Sequence, residues 1–343
     1  MLTEPPRAVP GLGKPVSALG AGCWTIGGPT INRGVPIGWD DVDPETAYKG
    51  LVHAYELGVR LFDTADVYGL GQSERLLGRL LGQVDRNEVV IASKVGYFSG
   101  TARHPYDPVQ MRGQFTTTLA NLGTDHLDLY SLHSSDFGPD DEYLSAAVHV
   151  MHELREQGLI GAIGMRAPHE FASQWANDDH PQATKARRWL DLFDRVSPDV
   201  VSTRFNLLSP LYRPDETDVF AFAREHGVGV LIKQVLGQGL LLRPPGTPQQ
   251  FGPQDHRSTD PMFRPENIAA LHGRLTGLRE RRGDDPATWL RLCLRYALHH
   301  APEAAVLVGF RDSTQIHAAV TSLEARLQPD EITEIQTLLH PTT

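Results

Sequence analysis

Short apolar runs alternate with longer amphipathic stretches along the chain, and this alternation restricts the fold to α/β architectures. The runs are rich in Val, Ile and Leu with little polar alternation, which is typical of parallel strands buried on both faces. Eight strands are predicted, at Ala18–Trp24, Leu61–Asp63, Val89–Lys94, Leu127–Leu132, Ile160–Met165, Val200–Phe205, Val228–Lys233 and Ala305–Gly309.

Eight strands, each followed by a helix, match a closed (β/α)₈ TIM barrel rather than an open doubly wound sheet. No Gly-x-Gly-x-x-Gly motif follows the first strand, which removes the main sequence argument for a Rossmann domain. Three helix starts are predicted. Asp43–Glu45 supplies an N-cap, a proline and an acid, Ser73–Glu74 caps the second helix, and Asp312–Ser313 opens the last crossover.

Several connections are expected to lie at the ends of the barrel. Val9–Gly13 is predicted to form an N-terminal β-hairpin that closes the bottom. Three long connections follow strands, at Thr25–Asp43, Asn177–Pro198 and Gly237–Asp285, and the second of these is expected to contain a helix. Loops of this length within a compact domain are usually functional, so they are expected at the carboxyl-terminal rim, where they determine specificity.

The chain has 343 residues, of which 40% are hydrophobic and 22% charged, so it is able to bury a full core. We find no internal repeat and no linker, and we expect residues 1–343 to form a single barrel domain. Its core should span about residues 16–327, and residues 328–343 should form a C-terminal helix and tail.

Charge and composition exclude several classes of protein. The 32 Lys+Arg and 42 Asp+Glu residues give a net charge of −10, which argues against a nucleic-acid partner. Two cysteines cannot form a disulfide framework, so a reducing compartment is expected. The chain has neither a signal-type apolar segment nor a run long enough to span a membrane, so we expect a cytoplasmic location without membrane contact. The oligomeric state is left open.

Polar residues close three successive apolar strands. Asp63, Lys94 and His133 stand at the ends of the second, third and fourth strands, and Tyr68 lies on the loop after the second. Because strand ends form the working face of a TIM barrel, these four side chains are expected to meet at one rim. Any one of them alone could be an ordinary buried polar group satisfied by its neighbours, but four complementary groups on three successive strand ends favour a catalytic site.

The four groups suit proton transfer to an oxygen. A phenol ordinarily titrates near pH 10, and a nearby ammonium is expected to lower the pKa of Tyr68. Asp63 is expected to hold Lys94 charged and oriented. His133 is expected to hydrogen-bond the substrate oxygen or to relay the proton. Together they suit protonation of an oxygen while hydride reaches the attached carbon.

The stretch Phe62–Gly69, with Ser73–Gly78, resembles the signature of the aldo-keto reductase superfamily, and the similarity extends from about Val16 to Val320. The resemblance implies that Asp63, Tyr68, Lys94 and His133 form a catalytic tetrad on a TIM barrel. It also implies reversible, NADPH-dependent reduction of a carbonyl to an alcohol, with the Tyr as general acid.

Several of the positions that this family uses to hold its cofactor are unusual here. Met165 and Arg166 stand in place of a Ser-Asn pair, Ser202 in place of a Gln, and Lys233 in place of an aromatic residue. The resemblance implies that the cofactor-binding residues are Trp24, Asp63, Met165, Arg166, Ser202, Lys233, Gln234, Leu236, Gly237, Gly239, Gly309, Arg311 and Gln315.

Val308–Gln315 resembles the loop that binds the adenosine phosphate at a helix start, although Ala319 replaces its usual Asn. A helix N-terminus suits an anion because free N–H groups and the helix dipole converge there. Arg311 is therefore expected to pair with a 2′-phosphate, which favours NADPH (NADP⁺).

Arg166 carries a hypothesis of its own, that its guanidinium contacts cofactor or substrate; the alternative is a surface salt bridge. The substrate is expected to be a small molecule in a pocket lined by Trp24, Tyr68, Tyr97, Phe98, His133 and Phe137. No metal is expected, because His149 and His152 are three residues apart on a helix but lack the third ligand of a catalytic zinc site.

The leading interpretation is thus an NADPH-dependent carbonyl reductase, and His133 favours C=O over conjugated C=C reduction by analogy with the family. Two alternatives stay open. One is a reductase of an imine or an oxidised-sugar intermediate in a biosynthetic pathway. The other is a non-catalytic barrel subunit that senses NADPH.

Overall fold

The fold is that of a closed parallel barrel, seen in a computed structural model that describes residues 2, 4–40, 42–177 and 179–340. Neighbouring strands are consecutive in sequence, and the eighth lies beside the first. The strands are β1 (Leu19–Gly22), β2 (Leu61–Asp63), β3 (Val90–Val95), β4 (Leu127–Leu132), β5 (Ile160–Arg166), β6 (Val200–Arg204), β7 (Gly229–Lys233) and β8 (Ala305–Gly309). The predicted (β/α)₈ barrel is confirmed.

Four strand ends differ from the prediction. β3 runs one residue further than predicted, to Val95. β1 ends at Gly22, and Trp24 lies in the following 3₁₀ turn, Cys23–Ile26. β5 runs one residue further than predicted, to Arg166, and β6 stops one residue earlier, at Arg204.

Helices surround the barrel, and most begin at a side-chain cap. Asp43, Asp107, Asp285 and Asp312 each accept a hydrogen bond from a backbone N–H in the first turn of the helix that follows. The helices are α1 (Pro44–Glu56), α2 (Gln72–Leu81), α3 (Pro108–Leu122), α4 (Leu144–Glu156), α5 (Ala183–Val196), α6 (Val219–Glu225), α7 (Pro265–Arg282), α8 (Pro286–His300), α9 (Ser313–Thr321) and α10 (Pro329–Leu339).

The predicted cap of the second helix is wrong. Helix α2 begins one residue before Ser73, at Gln72, and Gly71 occupies its N-cap with a φ of 87°. Ser73 and Glu74 lie inside the helix and are fully buried. Their position follows from the helical repeat, because they lie one turn before Leu77 and two turns before Leu81 on the same inward face.

The bottom of the barrel is closed by the predicted N-terminal hairpin. Arg7 and Val16 exchange both backbone hydrogen bonds as an antiparallel pair. Val9 and Val16 then pack into the barrel interior against side chains from the strands above. Gly11 adopts a φ of 78°, and a Cβ there would lie 2.3 Å from the Asp199 carbonyl oxygen, so the turn requires glycine.

The long connections lie at the opposite end of the barrel. A short ribbon, Ile31–Asn32 paired with Val35–Pro36, follows β1. A bridge between Gly38 and Asp255 joins this first connection to the long one after β7. The connection after β5 contains α5, as predicted.

The expected C-terminal helix is α10, and residues 341–343 of the expected tail lie outside the described residues. In the described part of the chain, no helix combines the length and apolar character that crossing a bilayer requires.

Candidate active site

Asp63 and Lys94 form a buried ion pair at the carboxyl ends of β2 and β3. The Lys94 ammonium lies 2.7 Å from Asp63 Oδ2 and donates a second hydrogen bond to the Thr64 carbonyl at 2.5 Å. Burial alone would lower the pKa of Lys94, but the Asp63 carboxylate and the Tyr68 phenol outweigh it, so the pKa is raised. Lys94 therefore stays charged at neutral pH.

Tyr68 lies beside this pair on the loop after β2. The Lys94 ammonium is 4.9 Å from the centre of the phenol ring. Burial raises the pKa of Tyr68 to about 12, although the charge of Lys94 opposes the shift. The ammonium does lower the phenol pKa, as predicted, but burial raises it by more, so the predicted net lowering is wrong. At neutral pH Tyr68 holds its proton.

His133 follows β4 and faces the same group. Its ring stands perpendicular to Tyr68, with ring centres 5.8 Å apart, and perpendicular to Tyr97 at 4.6 Å. Burial, followed by the charges of Lys94, Lys233 and Arg166, lowers the pKa of His133 well below its usual value. Among the described residues its Nδ1 has no hydrogen-bond partner, so the proton of the neutral ring is better placed on Nε2. Asp63, Tyr68, Lys94 and His133, the four residues predicted to meet, are called the tyrosine cluster below.

A buried polar network lies between the strands next to the tyrosine cluster and the helices α2 and α3 that cover them. Glu74 accepts hydrogen bonds from Ser93 and Thr118 at 2.9 Å and from Asn121 at 3.0 Å. Ser73 donates to the Cys23 carbonyl. Sequence reasoning missed this network, although the spacing of Ser73 and Glu74 with the inward leucines of α2 was the signal for it.

A second group of charged side chains stands across the mouth, on β5, β6 and β7. Arg166 is the register partner of Ser202, and Arg204 is the partner of Lys233. Arg166 donates to the Tyr97 hydroxyl at 2.8 Å, Arg204 Nη2 lies 2.7 Å from His169 Nε2, and the Lys233 ammonium lies 3.4 Å from Ser202 Oγ. Arg166, Arg204 and Lys233 are called the cation cluster below.

These cations repel one another. Burial and then the charges of Arg166 and Lys94 lower the pKa of Lys233 to about 7. Burial and then Arg166 also lower the pKa of Arg204. Sequence reasoning singled out Arg166 and Lys233 but missed Arg204, whose position two residues beyond Ser202 on the same strand gives it the same inward direction.

Met165, also expected at the mouth, points the other way. It is 5% exposed and packs in the core between the strands and the helices. Because side chains alternate along a strand, the inward direction of Arg166 turns its neighbour Met165 outward.

The loop after β7 is fixed by a residue that sequence reasoning missed. Gly237, Gln238 and Gly239 adopt left-handed conformations, with φ of 55°, 56° and 91°. His256 hydrogen-bonds the Gln238 side chain and, through Nδ1, the Gly38 carbonyl. Its ring packs 4.4 Å from that of Trp24. No local pattern marks His256, because Gly38 and Trp24 are more than 200 residues away and Gln238 lies 18 residues earlier in the same connection.

The model of the Aldo/keto reductase family matches residues 18–340. The chain belongs to this family. Aldo-keto reductases are oxidoreductases that use nicotinamide cofactors and act on small molecules. The resemblance found in the sequence is confirmed.

Known relatives of this aldo-keto reductase match along most of its length. It is 26% identical to an NADH-specific methylglyoxal reductase of Escherichia coli (strain K12), covering 93% of each chain. It is also 26% identical to an L-galactose dehydrogenase of Arabidopsis thaliana, covering 98% of this chain and 94% of the other.

Solved structures agree with the barrel of this aldo-keto reductase. The holo form of an aldo-keto reductase from Bacillus halodurans superposes with a TM-score of 0.70 at 25% identity, covering 98% of this chain and 97% of the other. A glycerol dehydrogenase from Gluconobacter oxydans gives the same TM-score and coverage at 24% identity, which supports the fold alone.

The remaining expected cofactor residues of this aldo-keto reductase lie around β8 and the loop after β7. Gly309 ends β8, Arg311 packs 5.3 Å from the Trp39 ring centre, and the Gln315 side chain accepts a bond from the Arg311 N–H. A guanidinium beside the start of α9 is a donor set that fits a phosphate. The loop Gly237–Gly239, with its left-handed residues, also fits a phosphate, because such a backbone can turn successive N–H groups toward an anion. The side chain of Gln234 lies 3.5 Å from Arg204, and Leu236 packs against the core.

The expected pocket residues of the reductase divide into two groups. Trp24, Tyr97 and Phe98 are half-buried at the mouth, and the Trp24 ring centre lies 6.2 Å from that of Tyr68. Phe137 is only 2% exposed and stacks on Tyr106. Phe137 thus belongs to the core under the loop after β4 rather than to the mouth.

Proposed function

We propose that this aldo-keto reductase reduces the carbonyl group of a small organic molecule to an alcohol, with NADPH as cofactor and Tyr68 as general acid. One observation carries the proposal. A phenol that keeps its proton lies beside an ammonium held by a buried carboxylate, at the mouth of the barrel.

A reduced nicotinamide, when bound, supplies a hydride to the carbonyl carbon. The π electron pair of the C=O bond moves onto the oxygen, and Tyr68 gives that oxygen its hydroxyl proton. The phenolate left behind is stabilised by the charge of Lys94, which Asp63 holds in place. A solvent proton then restores the phenol. Neutral His133, with its proton on Nε2, orients the carbonyl oxygen by a hydrogen bond.

The residues around β8 and the loop after β7 are suited to holding the dinucleotide. Arg311 and the first turn of α9 would take the adenosine phosphate, and Gly237–Gly239 the pyrophosphate. The arginine favours a 2′-phosphate and hence NADPH. NADH is the second candidate, because one relative is named as NADH-specific.

Nucleotide binding is tested by titrating the protein with NADPH and, separately, NADH, while dihydronicotinamide fluorescence is followed. We expect micromolar binding with a preference for NADPH. Arg311→Gln should reduce that preference about tenfold and leave NADH affinity within about twofold. Equal affinity for the two nucleotides in the unmodified protein would refute the NADPH assignment.

Catalysis is tested with Tyr68→Phe in a screen of small aldehydes and ketones, with imines and oxidised sugars as a second panel. We expect turnover to fall by about 10²- to 10⁴-fold while nucleotide binding is kept. Tyr48→Phe, on the outer helix α1, is the matched control and should change neither. Nucleotide binding without turnover of any compound would favour the non-catalytic sensor.

A further inference from the structure

Proton transfer by the tyrosine cluster does not explain the cation cluster across the mouth. We infer that Arg166, Arg204 and Lys233 bind an anionic group of the substrate, a carboxylate or a phosphate, that is separate from the reacting carbonyl. This inference rests on the proposed function, because it names the class of carbonyl compound that the site takes.

The cation cluster has no carboxylate in direct contact among the described residues; Asp63, Glu170 and Asp260 act on it only from a distance. Within the described ranges, no carboxylate forms an ion pair with any of the three, and their polar contacts are the neutral groups of Tyr97, His169, Gln234 and Ser202. Grouped cations without an anion are unfavourable, more so because Arg204 and Lys233 are half-buried. A bound anion would remove that penalty.

The three cations lie close enough together to share one anion. They come from adjacent strands, and strand neighbours are about 4.8 Å apart, so the cluster spans about 10 Å at the backbone. Long Arg and Lys side chains converge readily over such a span. A guanidinium matches carboxylate and phosphate oxygens with two parallel hydrogen bonds.

The cation cluster also faces the reacting group. Arg166 donates to the Tyr97 hydroxyl, and the Tyr97 ring packs on His133. One phenol ring therefore separates the guanidinium from the imidazole that orients the carbonyl oxygen. A substrate with its anionic group a few bonds from the carbonyl fits this spacing.

The cofactor is the other possible source of an anion at this place. Its phosphates have a donor set of their own in Arg311, the start of α9 and the loop Gly237–Gly239. The nicotinamide ring is neutral when reduced and positive when oxidised, so it offers no counter-charge. The observations therefore favour the substrate.

The test compares matched pairs of aldehydes, each with a neutral and an anionic member. Butanal is paired with succinic semialdehyde, and glyceraldehyde with glyceraldehyde 3-phosphate, so the arms distinguish carboxylate from phosphate. The full chain is assayed as the unmodified protein, as Arg166→Gln and as Lys233→Met, with saturating nucleotide. Arg224→Gln, on the exposed side of α6, is the matched control.

We expect one anionic aldehyde to be preferred over its neutral partner. Arg166→Gln and Lys233→Met should lower the ratio of kcat/KM for the anionic over the neutral member by about 10- to 100-fold, mainly through KM. Arg224→Gln should leave the ratio unchanged. Calorimetric titration with succinate or inorganic phosphate should show binding that Arg166→Gln removes, and this readout does not depend on turnover.

Two results would overturn the inference. If Arg166→Gln and Lys233→Met lowered kcat/KM equally for both members of a pair and also weakened NADPH binding, the cation cluster would be assigned to the cofactor. Turnover without charge preference, and without binding of succinate or phosphate, would leave the proposed function standing but exclude the anion site. If no aldehyde is reduced, but succinate or phosphate binds and Arg166→Gln abolishes that binding, the proposed function fails and the anion site stands.

Discussion

The two sides of the barrel mouth manage charge in opposite ways. In the tyrosine cluster, Lys94 has its counter-charge in Asp63 at 2.7 Å, and both are buried. In the cation cluster, the side chain of Lys233 has the Ser202 hydroxyl at 3.4 Å as its polar contact within the described residues, and no carboxylate there pairs with it. One side is neutralised within the protein, while the other, as proposed above, is neutralised by an anion of the substrate. A group that does the same chemistry on every substrate needs the first arrangement, and a group that selects a substrate is suited to the second.

Removing the ammonium from each side gives the largest expected contrast. Lys94→Met leaves Asp63 buried without its partner and should lower the free energy of unfolding by about 3–5 kcal/mol. Lys233→Met removes a cation that forms no ion pair with the described residues, and it should lower the free energy of unfolding at pH 7 by no more than about 1 kcal/mol. Urea unfolding of both variants measures the difference. Equal destabilisation would show that the two sides do not differ as described.

The polar support of each side gives a smaller contrast. Glu74→Gln replaces an acceptor of three hydrogen bonds with a group that is in part a donor, and should lower the free energy of unfolding by about 1–3 kcal/mol. Arg204→Gln, in the cation cluster, should change it by less than about 1 kcal/mol. Glu280→Gln, on the exposed face of α7, serves as the control for the acid substitution. If Glu74→Gln left the free energy of unfolding unchanged, the hydrogen bonds of Glu74 behind β3 would not stabilise this side of the mouth.

A third contrast is a pH dependence of stability that arises at Lys233. Its pKa is about 7 in the folded protein, lowered by burial and by Arg166 and Lys94 against the opposing charge of Asp63. Between about pH 7 and 10.4 the unfolded chain binds the extra proton, so the stability of the unmodified protein rises with pH in this window.

The free energy of unfolding of the unmodified protein should rise with pH faster than that of Lys233→Met, by at most about 1.4 kcal/mol per pH unit. Urea unfolding of both proteins at pH 7 and pH 9 measures it. A difference between the two proteins that stays constant over this range would contradict the lowered pKa of Lys233 in the folded protein.

Most of the barrel follows from local pattern. Eight apolar runs predict the strands to within one or two residues, because a strand buried on both faces needs an unbroken apolar run. Asp63, Lys94 and His133 stand at the ends of such runs, so their meeting at one rim follows from the fold.

The features that the sequence does not predict depend on which way a side chain points or on contacts between residues far apart in the chain. Met165 and Arg166 differ only in which side of β5 they face, and Ser73 resembles a helix cap until the register of α2 is known. His256 is held by Gly38 in the loop after β1 and by Gln238 at the start of its own loop. The pKa of Tyr68 depends on how deeply folding buries the phenol, which no local pattern states.

The most direct test of this division is to assay Tyr68→Phe and Arg166→Gln side by side on the anionic and neutral members of the preferred aldehyde pair. The account predicts that Tyr68→Phe lowers kcat for both members by about 10²- to 10⁴-fold and leaves their ratio of kcat/KM unchanged. Arg166→Gln should instead lower that ratio by about 10- to 100-fold. A Tyr68→Phe variant that keeps its turnover, or an Arg166→Gln variant that keeps the ratio, would contradict it.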